Sequence, residues 1–125
     1  MIRKATKEDK WKIRLLVWGA CLNPTGLNWQ RFVVCVDRSG TLIACGQIKD
    51  HRDGTKELSS LVVTRKYRRK GFARWIVEYL IRENIGSLYL ICKLKLVGFY
   101  EQFGFKVVNQ DELPPHFSRV HKLSS

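Results

Sequence analysis

Val63-Thr64-Arg65-Lys66-Tyr67-Arg68-Arg69-Lys70-Gly71-Phe72-Ala73 links a run of β-formers to a run of helix formers, and its reading decides the fold. Upstream, Glu57 to Val63 has the composition of a strand. Downstream, Phe72, Trp75, Ile76, Tyr79 and Leu80 recur at helical spacing, with Arg74, Glu78 and Arg82 off that stripe. Ser87 to Cys92 then reads as another strand. A strand, helix and strand in this order cross over right-handedly and leave the two strands parallel. The helix opens at Gly71, just past the C-terminal end of the first strand, which is where open sheets bind ligands.

Within the segment, Arg68 to Ala73 fits R/Q-x-x-G-x-G/A. Glycine at position 71 lets a ligand approach the backbone, and Ala73 keeps the approach uncrowded. The first helical N–H groups then form an anion site, with Arg68, Arg69 and Lys70 adding positive charge. The same residues also suit a basic turn that merely opens a helix.

The rest of the chain completes a mixed sheet. Ile2 to Ala5 reads as a short strand, and Thr6-Lys7-Glu8-Asp9 as a helix start with Thr6 as N-cap. A helix from about Lys7 to Ala20 is expected to bury Trp11, Leu15 and Trp18, and the turn Asn23-Pro24-Thr25-Gly26 ends it. Arg31–Val36 and Thr41–Ile48 flank Asp37-Arg38-Ser39-Gly40 as a hairpin. With Val36 opposite Thr41, Cys35 faces Leu42 and Cys45 points to the other side of the sheet, which disfavours a disulfide. His51-Arg52-Asp53-Gly54 turns the chain into the Glu57 strand. Leu96, Phe99, Tyr100 and Phe103 make a short amphipathic helix closed by Gly104; Phe105 to Val108 is a strand, and Pro114-Pro115 precedes a possible last one.

With 125 residues, 45% of them hydrophobic and 27% charged, the chain reads as one globular domain over 1–125, in the α/β (α+β) class. It contains no apolar run of the roughly 20 residues that span a bilayer, and it is expected to be cytoplasmic. Cys21, Cys35, Cys45 and Cys92 lack C-x-x-C spacing and read as reduced, structural thiols. His51, His116 and His121 have no spacing that suggests a metal, and none is expected. A net charge of +12 implies an acidic ligand, an acidic partner or nucleic acid.

The loop resembles the acyl-CoA pyrophosphate loop of GNAT acetyltransferases, and Phe99-Tyr100-Glu101-Gln102-Phe103-Gly104-Phe105 resembles that family's F-Y-E-x-x-G-F element. One helix and one strand separate the two motifs, as in the family. The resemblance implies a largely antiparallel sheet with a central parallel pair, helices on both faces, and acetyl-CoA as co-substrate for an amine acceptor. It implies that Leu61, Val62 and Val63 line the pantetheine arm, with the Leu61 amide polarising the thioester carbonyl. The amides of Arg68, Arg69, Lys70, Gly71, Phe72, Ala73 and Arg74 would hold the pyrophosphate.

Tyr100 is then the proton donor to the leaving thiolate. Glu57, eleven residues before Arg68, matches the general base of histone-type members, provided burial raises its pKa. Two positions depart from the family pattern. Arg65 stands where Pro is frequent. Lys93 stands where Asn is common, seven residues before Tyr100, and is placed to reach a cofactor phosphate instead. The acceptor itself is not legible, since the first helix, the loop 22–30 and the tail carry no recognisable code. Two other readings fit parts of the chain: a basic nucleic-acid-binding module, and a GNAT fold that binds acyl-CoA without catalysis.

Overall fold

The structure is a computed structural model that describes residues 1–20, 27–84, 86–108 and 122–124. The expected turn at 23–26, Cys21, Pro114-Pro115, His116 and His121 lie outside the described residues. The elements are β1 (Ile2–Lys4), α1 (Lys10–Gly19), β2 (Phe32–Val36), β3 (Leu42–Asp50), β4 (Lys56–Val63), α2 (Phe72–Glu83), β5 (Leu88–Leu90), α3 (Val97–Glu101), β6 (Lys106–Val108) and β7 (Lys122–Ser124). They form one sheet in the order β1-β2-β3-β4-β5-β7-β6. Among the described residues only β4 and β5 pair in parallel, across the α2 crossover; the other pairs are antiparallel.

The start of α1 is fixed by one carboxylate. A single 3-10 turn, Lys7–Asp9, precedes the helix, with Thr6 as its N-cap. Asp9, only 2% exposed, accepts from the Thr6 amide at 2.8 Å and from two Arg3 nitrogens at 2.7 and 3.3 Å. Burial alone would raise its pKa, but the Arg3 and Thr6 hydrogen bonds outweigh it and hold the carboxyl below the ordinary range. This cluster ties β1 to α1.

The face that α1 buries is not the expected one. Ile13 and Val17 are buried, whereas Trp11, Leu15 and Trp18 are 62, 65 and 50% exposed. The helix carries two apolar stripes on roughly opposite sides. The sheet face of Val34, Val36, Cys45 and Val62 takes the compact β-branched stripe, which allows a closer approach than two indoles would. On the other face of the sheet, α2 buries Ile76, Val77 and Leu80, and Trp75 is exposed instead of buried. Helices therefore cover both faces.

The β2–β3 hairpin forms, but with a shifted register. Val36 pairs with Leu42 and Cys35 with Ala44, with an irregularity between them. The Asp37 carboxylate gathers the Ser39 and Thr41 amides at 2.9 Å each, so Asp37 and Thr41 close the loop themselves. Cys35 still packs on the α2 side and Cys45 on the α1 side; both are free thiols, as is Cys92.

Gly46 sets how closely α2 can approach β3. A Cβ there would lie 2.7 Å from Ile76 Cγ2 and 3.4 Å from Leu80 Cδ1. We expect Gly46→Val to destabilise the fold by about 2 kcal/mol, lowering Tm by roughly 5–10 °C in a calorimetric scan. An unchanged Tm would mean that α2 does not rest on this residue.

Candidate active site

Strands β4 and β5 part several residues before the loop motif begins at Val63. They pair only at Lys56–Leu88 and Glu57–Tyr89, after which β4 runs on to Val63 while β5 ends at Leu90. Parallel strands that separate leave a V-shaped opening flanked by backbone. A β-bulge sharpens it: Ser59 pairs with Gln47 and Val62 with Cys45, so Ser60 and Leu61 both lie opposite Gly46. Ser60 takes a left-handed φ of 56°, and Gln47 Nε2 donates to its hydroxyl at 2.9 Å.

The loop after β4 makes a 3-10 turn, Arg65–Tyr67, and then passes through two left-handed residues, Arg69 (φ 64°) and Gly71 (φ 90°). Two left-handed non-glycine residues, Ser60 and Arg69, within ten positions mark strained backbone concentrated at one site. The loop thereby delivers the first turn of α2 to the opening, and no side chain from Gly71 caps it. Arg68 Nε donates to the Val63 carbonyl at 3.0 Å, which anchors the loop to the strand end. Arg74 donates to Gln102 and lies over the Phe103 ring at 5.3 Å, joining α2 to the α3 region.

Two clefts result. The first, about 460 Å³, is lined by Leu61, Val63, Tyr67, Arg68, Arg69, Gly71, Phe72, Ala73, Arg74, Leu96, Phe99 and Tyr100. The second, about 430 Å³, contains Lys49, Glu57, Ser59, Ser60, Cys92, Lys93 and Lys95. Leu61, Leu96 and Tyr100 line both. Tyr100 therefore stands at the junction, 7% exposed and stacked edge-on against Phe99 and Phe105. Its hydroxyl makes no hydrogen bond to a described residue. Burial, and then the neighbouring Cys92, push its pKa up to about 12.

Most of the sequence-derived site residues converge here, but four, Val62, Lys70, Lys93 and Glu57, do not share the first cleft. Val62 is 5% exposed and points into the α1 cluster. Lys70 sits beside the Tyr67 ring, 5.8 Å from its centroid, and is not part of the lining. Lys93 opens onto the second cleft, with Glu57. The structure also adds a partner that the sequence did not reveal. His51 Nε2 lies 2.9 Å from Glu57 Oε1, both largely buried. The signal was the tight turn itself: His51 closes the hairpin against Thr55, two residues before Glu57. Among the described residues no cluster of His, Cys, Asp or Glu suits a metal, and no helix is long and apolar enough to cross a membrane.

Residues 28–107, which carry both clefts, match the model of the acetyltransferase (GNAT) domain. The chain belongs to the GNAT acetyltransferase family. Solved structures agree with the fold of this GNAT domain. N-acetylglutamate synthase from Neisseria gonorrhoeae, complexed with coenzyme A and N-acetyl-glutamate, superposes with a TM-score of 0.85 at 18% identity, over 99% of this chain and 34% of that one. The GNAT domain here thus spans about a third of the synthase's length. A GNAT acetyltransferase from Staphylococcus aureus Mu50 matches with a TM-score of 0.79 at 13% identity, covering 99% and 96%. Glucosamine-6-phosphate N-acetyltransferase from Arabidopsis thaliana gives 0.65 at 22% identity, covering 87% and 92%. Among curated proteins no sequence matches the chain.

Proposed function

We propose that this GNAT domain moves an acetyl group from acetyl-CoA to a primary amine by direct attack in a ternary complex. The observation that carries the reading is the position of Tyr100 between two clefts, one ending at the first turn of α2 and the other holding Glu57. Acetyl-CoA enters the first cleft. Its pyrophosphate meets the amides from Arg68 to Arg74, and its pantetheine lies along Leu61 and Val63. The acceptor enters the second cleft, where the Glu57 carboxylate, steadied by His51, takes a proton from the ammonium.

The free amine attacks the thioester carbonyl, whose oxygen accepts from the Leu61 amide beside the bulge. The C–S bond then breaks while the Tyr100 hydroxyl donates a hydrogen bond to the departing sulfur, and the proton shed by the acylated nitrogen passes through solvent to the thiolate. The products are an amide and CoA thiol. The free thiols of Cys35, Cys45 and Cys92 suit the cytoplasm. No covalent acyl-enzyme is needed, and the buried Cys45 thiol, its pKa pushed up to about 12 by burial, is a poor nucleophile.

Calorimetric titration with acetyl-CoA, together with thiol release over a panel of amines, tests the proposal. Saturable binding and amine-dependent thiol release are expected. Binding with no release for any amine would leave a silent acyl-CoA binder. Failure to bind acetyl-CoA, with submicromolar binding to DNA or RNA at physiological salt, would assign the basic loop to nucleic acid, since nonspecific contacts alone give roughly 10⁻⁴–10⁻⁶ M.

A further inference from the structure

The second cleft carries more positive charge than an amine acceptor alone would favour. Among the described residues, Lys49, Lys93 and Lys95 line it against one carboxylate, Glu57. An amine arrives as a cation, and three ammonium groups around the cleft oppose its entry. The lysines reach the cleft from two sides. Lys49 on β3 is the register partner of Glu57 on β4. Lys93 and Lys95 come from the segment between β5 and α3, where Lys93 caps the turn Leu94–Leu96.

None of the three forms an ion pair with a described residue, whereas Arg3, Lys56 and Arg74 do pair with acids. The hydroxyls of Ser59 and Ser60 complete a lining suited to oxyanions. The phosphates of the cofactor meet their own cations, Arg68 and Arg69, in the first cleft.

We propose that the second cleft selects a small amine that also carries an anionic group, a carboxylate or a phosphate, with Lys49, Lys93 and Lys95 as its counter-charges. The inference rests on the acyl-transfer reading above. Glu57 engages the ammonium end and the lysines engage the anionic end, so the two charges of one molecule fix which nitrogen faces the thioester. A volume of about 430 Å³ suits a metabolite-sized acceptor. A polyamine or basic peptide would set its additional cations against the lysines.

Matched acceptors test the charge directly: β-alanine against β-alaninamide, phosphoethanolamine against ethanolamine, and spermidine as a polycation. Each is assayed by thiol release and by calorimetric binding to the CoA-loaded protein. The anionic member of at least one pair is expected to be preferred about tenfold or more, since charge-assisted contacts are the strong ones. The pair with the larger ratio identifies carboxylate or phosphate. The double variant Lys49→Gln/Lys95→Gln should bring that ratio down to about twofold or less, through KM, with the acetyl-CoA affinity retained. A preference for the neutral or polycationic amines, or a ratio unchanged in the double variant, overturns the inference while leaving acetyl transfer intact. Anion-selective binding without turnover supports the cleft assignment and instead sinks the acetyl-transfer reading. Absence of both turnover and anion-selective binding overturns the inference.

Discussion

Tyr100→Phe is expected to lower kcat about 10²-fold, the low end of the general-acid range, with little change in acetyl-CoA affinity or Tm. The ring packs edge-on between Phe99 and Phe105, at centroid distances of 5.0 and 6.0 Å, and Phe preserves those contacts. What the substitution removes is a hydroxyl that serves no described protein group. Its pKa of about 12 fixes how it acts. An ordinary thiol, near 8.5, is a stronger acid than this phenol, so full proton transfer to the leaving sulfur is uphill. The hydroxyl instead donates a hydrogen bond as the C–S bond lengthens, which accounts for the modest factor.

Because the phenol stays protonated up to about pH 12, it contributes no alkaline limb to the rate profile in the usual assay range. Stability gives an independent readout. The folded-state pKa lies above the unfolded value, so the contribution is complete below about pH 10 and is lost as pH rises through about 12. Wild-type stability should therefore fall more steeply than that of Tyr100→Phe over this window. Full kcat in the variant on a confirmed acceptor would make Tyr100 a packing residue.

Gly71→Glu is expected to weaken acetyl-CoA binding at least about tenfold relative to Gly71→Ala, and more so at low salt. The comparison with Ala matters because Gly71 has φ 90°, a backbone that any side chain strains. A Cβ at this position meets nothing within 4 Å, so both variants carry a similar backbone penalty and no clash. Their difference isolates a carboxylate facing the first turn of α2. Equal affinities for the two variants, measured by calorimetry across a salt series, would sink the pyrophosphate cradle.

The fold was largely legible because its signals are local. Helical spacing after Gly71, β-formers on either side of Asp37–Gly40 and the glycine at 104 specify their elements within a few residues. The loop motif was legible for the same reason: the left-handed backbone at Gly71 needs glycine, and glycine can be read. Burial was less legible. Trp11, Leu15 and Trp18 have the spacing of a core stripe, yet Ile13 and Val17 took the sheet, and periodicity alone cannot rank two stripes on one helix.

The hairpin register likewise turned on one Asp37 carboxylate gathering amides from the loop. A side-chain bond of that kind shifts a strand without changing its composition. Gly46 showed its importance only once Ile76 lay against it.

By itself, then, the sequence determined the order of elements, the parallel crossover, the loop at Gly71 and Tyr100 as the residue to examine. The first three rest on spacing within local segments, and Tyr100 on the resemblance of Phe99–Phe105 to the family's F-Y-E-x-x-G-F element. Only the tertiary structure decided that His51 meets Glu57, that Ser60 is bulged and left-handed, and that Lys49, Lys93 and Lys95 share a cleft. Lys49 and the pair Lys93 and Lys95 are more than forty residues apart in the chain and share a cleft only where β4 and β5 diverge, while His51 reaches Glu57 across the β3–β4 turn. That divergence is a property of how two strands pair, and no single stretch of residues encodes it.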